Sequence, residues 1–210
     1  MVFDQVILEK EYQPIVDLIK ARNKHLTKLN IVDAGANVGF ASIFFSHEFS
    51  DNFILSLEPE QKNFEALVEN IDQNNLSGIT PVQAGIWGRD KEMTLNNSFR
   101  DGREWSISLK EADKNSKEQL KINGYSLITL LTKHALERVD FLKIDIEGGE
   151  KYIFDEWAHD NSVFKFIKFI AIEIHDEIAD RDFINKLLIN NGFEITEIGE
   201  TTFGENMKLA

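Results

Sequence analysis

Residues 29–40 read LNIVDAGANVGF, an apolar run that closes on an acid, then a turn with two glycines, then the start of a helical pattern. The pattern predicts a buried strand over residues 29–33, a tight loop over residues 33–39, and a helix over residues 40–49. A second apolar run at residues 53–57 predicts the next strand. A strand, a glycine-bearing turn, a helix and a second strand are typical of a right-handed crossover between parallel strands.

The alternation of strands and helices continues along the rest of the chain. Further strands are predicted at residues 79–83, 139–146, 166–174 and 193–198, and further helices around residues 64–71 and at 127–136, 150–157 and 183–188. This order predicts one α/β domain, residues 29–210, with a mostly parallel sheet and helices on both faces, preceded by an N-terminal helical segment, residues 1–28. Residues 96–125 are polar and irregular, and a loop of that length is usually functional or mobile.

Composition excludes several classes of protein. The 210 residues include no cysteine, which removes disulfides, thiolate metal sites and cysteine nucleophiles. The net charge of −13 opposes phosphate backbones, so a nucleic-acid partner is not expected. No apolar run is long enough to span a membrane, and the N-terminus lacks a secretory pattern, so we expect a soluble cytoplasmic protein.

The loop after the first strand is the first candidate binding site. Glycines Gly35 and Gly39 allow the backbone to approach a ligand, and Glu58, at the end of the next strand, is placed to accept hydrogen bonds from both hydroxyls of a ribose. A dinucleotide would require G-x-G-x-x-G, but Asn37 stands where the second glycine belongs. S-adenosylmethionine has no phosphate, so an acidic site suits it better than it suits a dinucleotide. Glu58 would bind the ribose, and Asp33 would orient the loop or attract the ammonium. A nicotinamide-dependent oxidoreductase remains the alternative enzyme.

Four sequence blocks resemble the FkbM family of S-adenosylmethionine-dependent methyltransferases. They are DAGANVG at residues 33–39, LEP at 57–59, FLKIDIEGGE at 141–150 and IEIH at 172–175. The resemblance extends over about residues 29–200 and implies a Rossmann-like, seven-stranded class I methyltransferase fold. It also implies O-methylation, often of a hydroxyl on a sugar or a natural-product-type small molecule. It adds Asn37, Pro59, Ala84, Trp87 and Asp145 to the expected cofactor-binding residues, with Trp87 as a cover for the adenine face.

Acids and a histidine gather at the ends of the fourth and fifth main strands. Asp145 and Glu147 end one predicted strand, and Glu173 and His175 end the next, where ligands bind in sheets of this kind. His175 is the predicted general base for a hydroxyl acceptor, because its ordinary pKa lies near neutral pH, and Asp145 is its rival. Glu150 is expected only to stabilise a helix N-terminus.

Two further alternatives remain open. A divalent Mg²⁺ or Mn²⁺ ion held by Asp145, Glu147, Glu173 and His175 would lower the pKa of the acceptor hydroxyl by coordination, an arrangement that the sequence favours less than a metal-free base. A non-catalytic, methyltransferase-like binding module would explain the cofactor loop but would leave Asp145 and His175 without a role.

Overall fold

The computed structural model describes residues 3–22, 28–95 and 120–209. Its strands are β1 (Leu29–Ala34), β2 (Asn52–Leu57), β3 (Ile79–Val82), β4 (Gly85–Trp87), β5 (Lys91–Leu95), β6 (Leu120–Ser126), β7 (Val139–Ile144), β8 (Ile167–Glu173), β9 (Phe193–Ile198) and β10 (Thr201–Asn206). Its helices are α1 (Gln13–Arg22), α2 (Phe40–Glu48), α3 (Gln61–Gln73), α4 (Leu127–Lys133), α5 (Glu150–His159) and α6 (Arg181–Asn190). A π-helical turn, Asp4–Leu8, precedes α1, and a 3₁₀ turn, Asn161–Phe166, follows α5.

The main sheet has seven strands in the order β3-β2-β1-β7-β8-β10-β9. Strands β3, β2, β1, β7 and β8 run parallel to one another, whereas β10 runs antiparallel to both β8 and β9. The predicted mostly parallel α/β sheet is therefore confirmed. The prediction that residues 193–198 form the last strand is wrong, because β10 follows and inserts between β8 and β9.

Helices cover both faces of this sheet. Successive residues of the central strands alternate between two apolar clusters, as Val32 and Leu142 do for one face and Ile31 and Phe141 for the other. The first cluster takes side chains from α4, α5 and α6, and the second takes them from α1, α2 and α3. Every residue of β7 is buried, including the charged Asp140 and Lys143, as expected for a central parallel strand that is covered on both faces.

A second, three-stranded sheet in the order β4-β6-β5 was not predicted. It includes residues 120–125, so the expectation that all of residues 96–125 are irregular is wrong for that part. Residues 96–119 lie outside the described residues. Within the described ranges, no helix combines the length and the apolar character needed to cross a membrane.

Candidate functional site

A cavity of about 670 Å³ lies at the carboxyl ends of the parallel strands. Its walls come from the β1–α2 loop, the ends of β2, β7 and β8, and the turn between β9 and β10. This volume is in the range of sites for small molecules and cofactors. The cavity lies where the strand order reverses direction around β1 and β7, which is the usual ligand site of such sheets.

Glu58 faces this cavity and is fixed by the adjacent backbone. Its Oε2 accepts a hydrogen bond from the Asn37 N–H at 2.9 Å, and its Oε1 accepts one from the Glu60 N–H at 2.8 Å. Burial raises the pKa of Glu58, while these backbone hydrogen bonds oppose the rise. Asn37 and Pro59 line the cavity beside it, as the sequence predicted.

The two glycines of the loop have different roles. Gly35 lines the cavity with φ +81°, and a side chain there would overlap the backbone carbonyl oxygen of Asp145. Its conformation therefore permits the β1–α2 loop to pack closely against the end of β7, in addition to leaving room for a ligand. Gly39 was predicted to bind the cofactor, but it faces Leu67 of α3 and lies away from the cavity lining.

Asp33, predicted to orient the loop or attract the ammonium of the cofactor, lies outside the lining of the cavity. It is completely buried, and its carboxylate accepts a hydrogen bond from the Ser42 hydroxyl at 2.6 Å and forms an ion pair with Lys143 Nζ at 3.1 Å. Because the chain turns into the loop directly after Asp33, these two contacts hold the carboxylate beneath the loop. The predicted role of orienting the loop agrees with this position.

Lys143 is a site residue that the sequence analysis missed. Its ammonium lies among Asp33, the Gly35 carbonyl oxygen at 2.9 Å and Asp145 Oδ2 at 3.5 Å. Burial by itself lowers the pKa of Lys143, but the neighbouring acidic groups, Asp33 first, hold it well above its ordinary value. The charged side chain therefore links the β1–α2 loop to the end of β7.

The end of the third strand differs from the prediction. Trp87 is 1% exposed, belongs to the apolar cluster and stacks on Tyr152 with ring centroids 5.8 Å apart. Ala84 is also completely buried. Trp87 therefore cannot cover an adenine face, because β4 turns its side chain into the interior. Gly85 and Ile86 line the cavity in their place.

The predicted acids and histidine do meet at the ends of β7 and β8. Asp145, Glu147, Glu173 and His175 all line the cavity. Strand alternation is not the reason for Asp145 and Glu147, since β7 ends at Ile144. A sharp turn brings both into the cavity, with Glu147 at φ +53° and Gly148 at φ +90°. A left-handed conformation is unusual for glutamate, so this turn is held by its surroundings.

Glu150 has a larger role than the helix stabilisation expected from the sequence. Its side chain is completely buried at the first position of α5, and Oε1 accepts a hydrogen bond from the Ile146 N–H at 3.2 Å. The same oxygen lies 3.1 Å from His175 Nδ1. Glu150 therefore fixes the orientation of the imidazole, whose Nε2 lies 3.5 Å from Glu147 Oε2.

These contacts alter the charge of the histidine. The hydrogen bond with Glu150 raises the pKa of His175 to about 9, against a smaller opposing effect of burial. In the absence of another cation, His175 is therefore an imidazolium at neutral pH and cannot accept a proton there. The sequence-based prediction of His175 as the general base does not agree with this environment.

This charge state can be measured directly. In EDTA-treated protein, the imidazole protons of His175 should titrate by NMR with a midpoint near 9, and Glu150→Gln should move that midpoint toward the ordinary value of about 6.5. Because the folded-state pKa is raised, the His175–Glu150 contact stabilises the fold fully below about pH 6.5, and this stabilisation is lost as the pH rises through 9. A wild-type midpoint near 6.5 would contradict the assignment.

The cavity is markedly acidic. Burial, then the charge of Asp145, raises the pKa of Glu173 to about 7, and the same two causes raise the pKa of Glu147 and of Glu11. In the described part of the lining, Lys143 and His175 are the basic side chains, and Lys143 is already engaged with Asp33. The site is thus arranged to receive positive charge.

The N-terminal segment also contributes to the cavity. Val6 and Tyr12 pack into the apolar cluster of α1–α3 and line the cavity, as do Gln5 and Glu11. The turn from Ile198 to Thr201 also lines the cavity. Part of the N-terminal segment therefore lines the cavity, and residues 96–119 lie outside the described residues.

Solved structures with the same architecture are class I methyltransferases. The METTL16 MTase domain (crystal form 2) superposes with a TM-score of 0.56 at 12% identity, over 90% of this chain and 64% of that chain. The N-terminal domain of human METTL16 in complex with SAH gives a TM-score of 0.54 at 16% identity, over 92% of this chain and 66% of that chain. At these identities the likeness shows the fold alone, and it confirms the predicted class I methyltransferase fold.

Sequence comparison identifies the family. Methyltransferase 1 of Beauveria bassiana (strain ARSEF 2860) is 25% identical over 181 residues, which cover 79% of this chain and 72% of the relative. Methyltransferase sdnD of Sordaria araneosa is 27% identical over 193 residues, which cover 79% and 74%. The model of the methyltransferase FkbM domain matches residues 33–195. This range includes the β1–α2 loop and the acids and histidine at the ends of β7 and β8. The chain therefore belongs to the FkbM family of methyltransferases.

Proposed function

We propose that this protein is an S-adenosylmethionine-dependent O-methyltransferase that acts on a hydroxyl group of a small molecule, such as a sugar or a natural product. The observation that carries the proposal is one continuous cavity. Its lining includes both Glu58 with the glycine loop and the group Asp145, Glu147, Glu173 and His175. The first set suits a nucleoside, and the second suits an acceptor that must lose a proton.

The lining fits S-adenosylmethionine better than a dinucleotide. Each carboxylate oxygen of Glu58 accepts one backbone hydrogen bond, and each has a further lone pair for a ribose hydroxyl. The acidic lining attracts a sulfonium and an ammonium, whereas it would repel a pyrophosphate. Lys143, the one lysine beside the loop in the described lining, points at Asp33 and the Gly35 carbonyl and offers no free charge to a phosphate.

The residues of the chain bind, align and remove a proton. When bound, S-adenosylmethionine supplies an electrophilic methyl group, whose bond to sulfur breaks with both electrons kept by sulfur as the acceptor oxygen attacks. Asp33 and Lys143 fix the loop that holds the cofactor, and Glu58 holds the ribose. Asp145, Glu147, Glu173 and His175 are the proposed catalytic residues, because they surround the place where an acceptor hydroxyl must give up its proton.

A test of the cofactor is the affinity of the Glu58→Ala variant. Removing the carboxylate leaves two ribose hydroxyls without their charged acceptor, so S-adenosylmethionine should bind about 10–100-fold more weakly in calorimetry. The matched control is Glu65→Gln, which removes one negative charge from the exposed face of α3 and should leave the affinity unchanged.

Three outcomes would contradict the proposal. Unchanged affinity in a folded Glu58→Ala variant would refute the ribose position. Tight binding of NAD in place of S-adenosylmethionine would favour the oxidoreductase. Mass spectrometry of the reaction mixture measures methylated product from hydroxylated acceptors. If the protein binds the cofactor but forms no such product, a non-catalytic binding module is favoured.

A further inference from the structure

We propose that Asp145, Glu173 and His175 form a binding site for one divalent metal ion, with Mn²⁺ as the ion that suits these donors best. The three side chains line the cavity, and their binding of metal does not depend on the proposed function. Its role in methyl transfer does rest on that function, as a means of binding and activating the acceptor hydroxyl.

The geometry of the three side chains supports a shared ion. One ligand atom from each of Asp145, Glu173 and His175 lies within 4.8 Å of the other two. Donors at about 2.0–2.6 Å from one divalent ion lie at most about 5 Å apart when they face each other across it. The three atoms can therefore reach a common ion with small side-chain movements and without any change in the backbone.

The fold places these residues together by strand register. Strands β7 and β8 are parallel neighbours, with Ile144 paired to Ile172 at their carboxyl ends. Asp145 follows the last residue of β7, and its N–H bonds to the Ala34 carbonyl oxygen at 3.1 Å. Glu173 is the last residue of β8. Glu173 is thus presented by a strand, and Asp145 by the residue directly after one, whose backbone is hydrogen-bonded to β1.

Glu150, which is outside the triad, orients the histidine as a metal ligand requires. Its completely buried carboxylate contacts Nδ1 of His175. The other ring nitrogen, Nε2, is therefore the one proposed to bind the metal ion. A carboxylate that binds the second nitrogen of an imidazole is the usual support of a metal-ligating histidine. The other oxygen of Glu150, Oε2, is buried and has no hydrogen-bond partner among the described residues, so its charge is offset mainly through His175.

The surrounding charges also favour a dication. Glu11, Glu147 and Glu200 line the same cavity beside the triad, and Lys143 is shared with Asp33. A divalent ion would offset the repulsion among these carboxylates. Two carboxylates and one imidazole match Mn²⁺, since oxygen ligands alone would favour Mg²⁺ or Ca²⁺ and additional imidazoles would favour later transition metals.

An ion at this position would act on the acceptor directly. Three protein ligands leave open coordination positions, and an acceptor hydroxyl bound there would lose its proton more readily. Glu147, which lies beside His175 and is not a member of the triad, is placed to take that proton and pass it to solvent, since its side chain is 49% exposed. The oxygen keeps the electron pair of the broken O–H bond for the attack on the methyl carbon.

The test is a titration of EDTA-treated, dialysed full-length protein with Mn²⁺, followed by electron paramagnetic resonance of the free ion. Wild type should bind one Mn²⁺ per chain. Glu173→Gln, Asp145→Asn and His175→Ala should each weaken binding at least about 10-fold, and Glu150→Gln should weaken it by about 10–100-fold. Glu200→Gln is the matched control, because it removes one charge from the same cavity but no proposed ligand, and should weaken binding much less than a change of ligand does.

The outcomes separate this proposal from the proposed function. Circular dichroism of each variant shows whether it is folded, and Glu173→Gln is the mildest of the ligand changes. No Mn²⁺ binding to wild type, or equal loss in Glu200→Gln and Glu173→Gln, would refute the metal site. Calorimetry with S-adenosylmethionine on the same samples tests the cofactor independently. Cofactor binding without Mn²⁺ binding would therefore overturn this inference alone, and Mn²⁺ binding without cofactor binding would overturn the proposed function alone.

Discussion

Lys143→Met should lower the free energy of unfolding by about 3–5 kcal/mol, because it leaves the buried carboxylate of Asp33 without its cation. The Lys143 side chain is 4% exposed and that of Asp33 is 0% exposed, so water cannot replace the lost partner. The change also removes the hydrogen bond to the Gly35 carbonyl oxygen. Urea unfolding followed by circular dichroism measures the effect, with the midpoint compared at constant slope.

Lys20→Met is the matched control for this prediction. Lys20 lies closer to its partner, Glu48, at 2.6 Å, but the two side chains are 45% and 23% exposed. An exposed pair contributes about 0–1 kcal/mol, so this variant should remain close to wild type. The double variant Asp33→Asn with Lys143→Met should recover part of the lost stability, because it removes both buried charges. Equal effects of Lys143→Met and Lys20→Met would show that burial does not decide the strength of the pair.

Glu173→Gln should slow methyl transfer by about 10²–10⁴-fold while the cofactor affinity changes little, because the proposal assigns Glu173 to the acceptor and Glu58 to the ribose of the cofactor. The expected loss is the same whether Glu173 handles the proton itself or holds a metal that lowers the acceptor pKa. Single-turnover kinetics on an accepted hydroxyl compound, with calorimetry for the cofactor, separates the two effects.

Glu197→Gln is the control, since it removes an exposed carboxylate from β9 outside the cavity and should leave turnover unchanged. Full turnover by a folded Glu173→Gln variant would remove Glu173 from the catalytic residues. A large loss of cofactor affinity in the same variant would assign Glu173 to the cofactor-binding residues instead.

The sequence predicted the part of the site that depends on strand ends. Parallel strands place their carboxyl ends at one edge, so an apolar run that closes on polar residues marks the cavity without further information. Glu58, Asp145, Glu173 and His175 were found in this way, and all of them line the cavity. The family resemblance added the seven-strand count, which the visible apolar runs do not supply.

Lys143 and Glu150 could not be assigned from the sequence, because their roles depend on partners far along the chain. Lys143 lies within the apolar run of β7, and its partner Asp33 is on the neighbouring strand β1. A lysine inside a buried strand was a signal that a buried acid must exist, but it did not say which one. Glu150 was assigned to the nearest helix end, since its contact with His175 depends on how α5 packs beside β8.

The prediction for Trp87 was wrong, and β10 was not predicted, for local reasons. The sequence does not say which way a three-residue strand turns its side chains, and β4 directs Trp87 inward against Tyr152. For β10, the apolar alternation is weak, with Phe203 as its one large core residue. The signal that could have found it is the two-residue connection Gly199-Glu200, with Gly199 at φ +61°, between two segments able to pair.

The position of β10 has a consequence for the protein during its synthesis. Thr201–Asn206 leaves the ribosome after every other described strand, yet it pairs with β8 and separates β8 from β9. Until then the nascent chain exposes an unpaired edge on β8, which is a template for wrong pairing, and lacks the completed turn that closes one side of the cavity. The full cavity therefore forms only when β10 pairs with β8, so a bound ligand can stabilise the chain there only after that step.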